Sequence, residues 1–550
     1  MNKIKLTFPD NSSIEVENEI RPLIIVDHFH SSDRKVIAVK VNNEVCSLTT
    51  PVNISASIEP VYADSSEGAA VYRRSLCFIL ATAAHNLFPG KRLLVGPSLD
   101  YGYYYTLEKD SSISTEDIAA LKKEMERLVK EDFAIETSYI SYENACNTFE
   151  ELNLTETRKA LNYNCPSKIM VNKLDEFTDL YFGPLVSSTG MVDIFDIMKY
   201  EDGFLLRFPK HTDCTKLPEF NDQPKLFNIF RTYKEWGKKL GVTSAAGLNQ
   251  LIHDRKINDF ISITETYQTK MISDIAEQIQ TKKSARVVLI AGPSSSGKTT
   301  TSKKLSLQLQ ARGYTPKVIS LDNYYVGRAE TPKDEFGNYD YECLEALNIK
   351  MLNENLVDMF NGKEIKLPSY DFHEGVSYFK GDTMRLEEND ILVMEGIHGL
   401  NDKLTPLVAP ELKFKIYLSA LTQLNLDDHN RISTSDNRLI RRIVRDYNYR
   451  GKSAADTIAM WDNVQKGEKK HIFPFQNNAD AMLNTALDYE LAVLRVYAAP
   501  LLRCVAPTQS QFAEASRLLK FLDNFQTIPA NAVPNESIIR EFIGGSKFKY

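Results

Sequence analysis

The chain has 550 residues, more than one hydrophobic core organises, so three or four domains are expected. A hydrophobic share of 43%, a charged share of 25% and a net charge of −7 describe an ordinary globular chain and speak against a general nucleic-acid binder, which would carry a basic excess. Seven cysteines without a C-x-x-C pair, and no apolar run fit for a signal peptide or a membrane span, argue against a disulfide framework and a membrane partner and predict a cytoplasmic protein.

Residues 1–65 carry the signals of a small α+β domain. IKLTFPDNSSIEV alternates apolar and polar residues around an Asp-Asn-Ser turn, and KVIAVKVNNEV does so around Asn42-Asn43, which suits a tight hairpin. From 66 to 210 the pattern is mixed. SLCFILATAAHNLF predicts a buried helix. Ser114 with Asp117 predicts a capped start for a helix whose Ile118, Leu121, Met125 and Leu128 share one face. The stretch 211–224, with two prolines and few large apolar residues, reads as linker, and 225–283 as helical. The segment 211–283 is thus expected to lead into a last domain over 284–550.

Residues 285–291 (ARVVLIA) form an apolar, β-branched run, as a strand buried in a parallel sheet requires. Gly292, Pro293, Ser294, Ser295, Ser296, Gly297, Lys298 and Thr299 then match G-x-x-x-x-G-K-[ST] at every position, followed by Thr300. The glycines let backbone N–H groups wrap closely around phosphate oxygens, and the following helix adds its positive end. Lys298 is placed to bridge β- and γ-phosphates and the Thr299 hydroxyl to ligate Mg²⁺, so ATP with Mg²⁺ is the expected cofactor. A chance Gly/Ser turn would not sit between a strand and a helix.

The next strand signal, TPKVISLD, ends in Asp322. In an open α/β sheet the ligand crevice lies beyond the carboxyl ends of the strands, so Asp322 faces the crevice of the phosphate loop and can take a proton from an attacking hydroxyl. The bland alternative is a turn Asp before Asn323. DILVMEG places Glu395 at another strand tip, a Walker-B-like holder of Mg²⁺ or its water. In RLIRRIVRDYNYRGK, Arg438, Arg441, Arg442 and Arg445 repeat at helical spacing, offset by about 200° from Ile440, Ile443, Val444 and Tyr447. One face is expected to pack and the other to present guanidinium groups, as a lid that closes on transferring phosphate. A solvated surface or a nucleic-acid contact would show the same charge run.

With these residues in hand, positions 286–486 resemble the uridine kinase/phosphoribulokinase family of P-loop kinases. GPSSSGKTT, SLDNYY, NYDYECLEAL, LPSYDF, VMEGIHG, RLIRRIVRDYNYRGK and NNADAML follow in the family's order. The resemblance implies a P-loop kinase with a parallel sheet flanked by helices and a C-terminal helical extension. It implies Asp322 as catalytic base, Asp340 on the ribose hydroxyls, and Tyr370 and Phe372 against the base. Arg442, Arg445 and Arg450 would line the lid and sugar side. Two positions depart from the pattern: Lys452 stands where the family's lid ends in Arg, and Gly375 where pyrimidine-nucleoside kinases carry a base-reading His. The expected acceptor is therefore a ribonucleoside 5′-hydroxyl, with another sugar or a sugar phosphate as the alternative.

Residues 1–210 resemble the N-terminal region of threonyl-tRNA synthetases. LTFPDNSS and AVKVNNEVCSL are similar to its small β-grasp-like TGS domain, expected over 1–65. RRSLCFILATAAHNLFPG, GPSLDYGYYYTLEKD and FTDLYFGPLV are similar to its editing domain, expected over 66–210. That editing site uses an H-x-x-x-H pair with a later Cys and His; the matching positions here hold Arg74, Phe78, Tyr181 and Leu185. None supplies the required ligand or proton shuttle, so editing chemistry is expected to be lost. A nucleotide-binding, RNA-associated regulator is the competing reading. The acidic balance and the lack of basic–aromatic clustering in 1–210 speak against tRNA as a partner. A small-molecule substrate is expected, and a homo-oligomer stays open.

Overall fold

A computed structural model describes residues 3–29, 34–108, 112–334, 337, 339–371 and 374–549. The chain divides into two compact units. The first comprises Met1–Arg255, Gln423–Ser433 and Ala499–Thr527, the second Lys256–Thr422, Thr434–Ala498 and Ile528–Tyr550.

In the first unit the two predicted hairpins form as their patterns dictate. Strand β1 (Lys3–Thr7) pairs antiparallel with β2 (Ser13–Glu17), setting Leu6 opposite Ile14. Strand β3 (Val36–Val41) turns into β4 (Glu44–Cys46) through Asn42 and Asn43 at φ 49° and 62°, the left-handed backbone that a two-residue hairpin turn demands and Asn tolerates. Strand β5 (Ala56–Tyr62) completes a sheet of order β2-β1-β5-β3-β4 over a core of Leu6, Val39 and Ile58. Helix α1 (Ser66–Leu87) follows, buried on most of its surface, as a run with so few polar positions must be.

Strands β6 (Leu93–Leu99) and β7 (Gly102–Leu107) precede helix α2 (Thr115–Lys130). The Ser114 hydroxyl caps α2 by accepting from the Asp117 amide at 3.0 Å, and Ile118, Leu121, Met125 and Leu128 are buried. Next come β8 (Glu136–Ser141), α3 (Tyr142–Glu151), α4 (Thr155–Ala160), β9 (Lys168–Leu174), β10 (Phe177–Asp179), β11 (Asp196–Tyr200) and β12 (Gly203–Arg207). They build two further sheets, β10-β9-β8 and β11-β12-β7-β6. The helical reading of 225–283 resolves into α5 (Pro224–Leu240), α6 (Ala245–His253) and α7 (Ile257–Thr281).

The second unit is a doubly covered parallel sheet. Its strands are β13 (Val287–Ala291) and, after α8 (Lys298–Gln310), β14 (Thr315–Ser320). Beyond α9 (Ile349–Phe360) and the β15 (Ile365–Asp371)–β16 (Val376–Met384) hairpin come β17 (Asp390–Glu395) and β18 (Lys413–Ser419). Helices α10 (Thr434–Arg450) and α11 (Ala454–His471) lead to β19 (Ala481–Asn484) and α12 (Glu490–Arg503). The sheet order is β14-β17-β13-β18-β19, with every pairing parallel. Alternate residues of β13 serve opposite faces. Val288 and Ile290 pack with Ile272, Ile275, Leu305 and Leu309 of α7 and α8, whereas Val287 and Leu289 pack with Leu352, Leu356 and Met359 of α9. All five strands therefore end at one edge, where a ligand crevice is expected.

Candidate active site

The phosphate loop is cut to backbone dimensions. A Cβ added at Gly292 would lie 2.5 Å from the Leu418 carbonyl oxygen, so no side chain fits. Ser295 and Gly297 adopt φ 58° and 79°, left-handed turns of the kind whose N–H groups converge on an anion. Ser296 and Thr300 are buried beside them. Lys298 opens α8 and folds its ammonium back onto the Gly292 and Pro293 carbonyls at 3.1 and 3.2 Å.

Two neighbouring strands bring the acids. Glu395, at the tip of β17, is buried and accepts from Thr299 Oγ1 at 3.3 Å and Ser320 Oγ at 2.9 Å. Burial pushes its carboxyl up to about 7, Asp322 adds to the rise, and Lys298 opposes it. Asp322 sits in the short 3-10 turn Leu321–Tyr324 directly after β14. The strand register thus gathers Lys298, Thr299, Asp322 and Glu395 at one crevice edge.

Helix α10 departs from expectation. Its apolar face buries Ile440, Ile443 and Val444, but Tyr447, assigned to that face by spacing, is 57% exposed. The guanidinium face is not open: Arg438, Arg441 and Arg442 are buried, Arg441 completely. Arg438 Nε donates to the Ser294 carbonyl at 2.9 Å, Arg441 Nη1 to the Ser295 carbonyl at 3.2 Å, and Arg442 Nη1 to Ser294 Oγ at 2.7 Å. The reason is charge compensation from later helices. Glu468 of α11 pairs with Arg438 and also accepts from the Ser294 amide at 2.9 Å, while Glu490 of α12 pairs with Arg441. Asp446 lies within 3.3 Å of Arg442, 2.8 Å of Arg445 and 3.8 Å of Arg450. Burial works to raise its carboxyl, yet these three arginines hold it below the usual range. Burial, with Arg445 close by, pushes Arg450 down to about 10.

Of the residues expected to face an acceptor, Asp340 braces its own loop, accepting from the Glu342 amide at 3.1 Å, and lies 3.8 Å from His471 Nε2. Tyr370, on β15, packs on Tyr325 with ring centroids 5.6 Å apart. Phe372 and His373 lie outside the described residues. Gly375 has φ +73°, where an L side chain is strained, and a Cβ there would meet Arg328 Nε at 2.7 Å, so a side chain at this position would require Arg328 to move. Sequence reading passed over Glu342. Burial pushes its carboxyl up to about 7, Glu468 adds to the rise, and Arg442 and Lys298 oppose it. Its only signal was its place in NYDYECLEAL.

In the first unit three of the four positions matched to the synthetase site are filled with core and the fourth holds a half-buried arginine. Phe78, Tyr181 and Leu185 are buried, the Phe78 and Tyr181 rings meeting edge-on at 5.2 Å, and Arg74 Nη1 donates to the Pro184 carbonyl at 2.8 Å. The unit also receives a segment of distant sequence. Within 423–433, Asp428 pairs with Arg92 and accepts from the Glu156 amide at 3.0 Å, and His429 Nδ1 lies 2.7 Å from Asp179 Oδ2. Among the described residues, no group of three or more His, Cys, Asp or Glu is placed to hold a metal ion, and no helix is long and apolar enough to cross a membrane.

Comparison with known proteins separates a C-terminal segment from the N-terminal region. Residues 287–492 match the model of the Phosphoribulokinase / Uridine kinase family. The threonine–tRNA ligase of Oleidesulfovibrio alaskensis is 29% identical over 209 residues, which are 38% of this chain and 32% of that protein. That of Streptococcus equi subsp. zooepidemicus is 32% identical over 197 residues, 36% of this chain and 30% of that protein. The chain thus spans about a third of the length of these curated relatives. A solved chain described as a possible uridine kinase from Bacillus stearothermophilus aligns at 20% identity over 36% of this chain and 89% of that one, with a TM-score of 0.24. The protein therefore joins a segment that matches the Phosphoribulokinase / Uridine kinase family model, residues 287–492, to an N-terminal region similar to threonine–tRNA ligases.

Proposed function

We propose that the chain is a kinase that transfers the γ-phosphoryl group of ATP to an alcohol of a small acceptor, with a ribonucleoside 5′-hydroxyl as the leading candidate. The observation that carries this reading is the convergence of Lys298, Thr299, Asp322 and Glu395 at the carboxyl edge of one parallel sheet, beside a phosphate loop gripped by α10. Phosphoryl transfer asks little covalent chemistry of a protein; positioning and charge stabilisation do most of the catalysis. In this reading the loop amides and Lys298 hold the β- and γ-phosphates. Asp322 takes the proton of the attacking hydroxyl. Arg445 and Arg450 serve the transferring group, and Arg442, Asp340 and Tyr370 serve the acceptor.

The oxygens of Thr299 and Glu395, hydrogen-bonded to each other at 3.3 Å, form the hard, partly protein-built set that suits Mg²⁺, which completes its shell with water and phosphate. Mg²⁺ bound there would neutralise charge on the phosphate oxygens.

A sugar-phosphate acceptor is the second reading. It is favoured by Arg328, a cation packed against the position where a base-reading His would stand. A coupled ADP-release assay across ribonucleosides, sugars and sugar phosphates tests both. Turnover with nucleosides alone supports the first and turnover with sugar phosphates alone the second. No turnover with any alcohol acceptor would overturn the kinase reading.

A further inference from the structure

The phosphate loop has an intramolecular visitor. Glu541, in the C-terminal helical turn Arg540–Ile543, accepts through Oε2 from both the Thr300 amide, at 3.1 Å, and Thr300 Oγ1, at 2.7 Å. Thr300 is in the first turn of α8, directly after Lys298-Thr299. In a loop–helix of this design, the first-turn amides are the ones left to receive phosphate oxygens. Ile538 presses on the same loop, where a Cβ at Gly297 would lie 2.6 Å from its Cγ2.

The segment is not loosely laid. Ser537, Ile538, Ile539 and Phe542 are buried. The Phe542 carbonyl accepts from Asn448 Nδ2 at 3.0 Å, and the Phe542 ring lies 5.1 Å from the Arg441 guanidinium. Residues 537–544 therefore contact both the phosphate loop and the arginine helix α10.

We propose that residues 537–544 form an autoinhibitory latch, in which the Glu541 carboxylate occupies a phosphate-receiving position and nucleotide must displace it. One N–H and one hydroxyl cannot serve a carboxylate and a phosphate oxygen at the same points, and two anions there repel. ATP binding thus expels Glu541, and with it loosens the Phe542 and Asn448 contacts on α10. An event that withdraws the C-terminal segment raises nucleotide affinity without touching the acceptor side. This rests on reading residues 292–300 as a nucleotide site.

The test uses full-length protein. ATP binding at fixed Mg²⁺ is measured by calorimetry for wild type, Glu541→Gln and Glu541→Ala, alongside thermal melting without nucleotide. Gln keeps the shape and removes the charge, so it should tighten ATP binding by about tenfold, and Ala by at least as much. Equal or weaker binding in variants that melt like wild type would overturn the latch and leave the nucleotide site standing. Absence of ATP binding in all three proteins would overturn the nucleotide site, and the latch with it. Should the variants melt early, hydrogen exchange of 537–544 in wild type decides. ATP should accelerate it, and unchanged or slower exchange counts against the latch.

Discussion

Glu395→Gln probes whether the carboxyl at the tip of β17 titrates near neutrality. Burial, reinforced by Asp322, lifts its folded value from 4.5 to about 7, while the unfolded chain keeps the lower one. Between those values the folded protein holds a proton that the unfolded chain has lost, so stability falls as pH rises through this window. At about 1.4 kcal/mol per pH unit, the penalty is bounded at about 3 kcal/mol at pH 8 and below about 1 kcal/mol at pH 5. Gln retains an oxygen for Ser320 and Thr299 and has no charge to desolvate. The variant should therefore be more stable than wild type by about 2 kcal/mol at pH 8, and close to wild type at pH 5. The chain's two tryptophans, Trp236 and Trp461, fall in different units. Urea titrations in a Trp236→Phe background accordingly report the second unit alone. A difference that does not change with pH, or a variant less stable at pH 8, would refute the reasoning. Turnover should fall in the same variant, because a neutral amide is a poorer Mg²⁺ ligand than a carboxylate.

Lys298→Ala should reduce turnover more than tenfold while the protein still folds and melts cooperatively, since the ammonium hydrogen-bonds to loop carbonyls and acts on developing phosphate charge; kinetics and melting are read together. Asp322→Asn keeps the shape but takes no proton, so the rate should drop by about 10²–10⁴ while ATP affinity measured by titration stays near wild type. In the first unit, Asp179→Ala strips the buried His429 of its partner and should cost about 3 kcal/mol. Urea unfolding read from Trp236 in a Trp461→Phe background measures it.

Features set by neighbours in sequence were legible. The Asn42-Asn43 turn, the Ser114 cap and the strand–loop–helix around Gly292 each depend on hydrogen bonds or dihedrals within a few residues, and each forms as read. The strand-tip position of Glu395 followed from the apolar run before it. What escaped depends on distant partners. The arginine face of α10 read as open because the carboxylates that neutralise it, Glu468 and Glu490, stand 30 and 49 residues away from Arg438 and Arg441. Glu541 carries no local signal at all, being 241 residues from Thr300. Gly375 is a departure from a pattern in sequence, but its positive φ and its contact with Arg328 are visible only in space.

The first unit draws on three stretches of chain, the last ending at Thr527, and this sets a schedule for its synthesis. At about 5–20 residues per second, some 15–55 s separate the emergence of Arg255 from that of Thr527 on a ribosome. Until residues 423–433 emerge within that interval, Asp179 lacks His429 and Arg92 lacks Asp428. The N-terminal region, although first made, completes its packing almost last. The early completion expected of a first-made domain is thereby lost, and a chaperone that shelters nascent chains has a long window in which to act on this one.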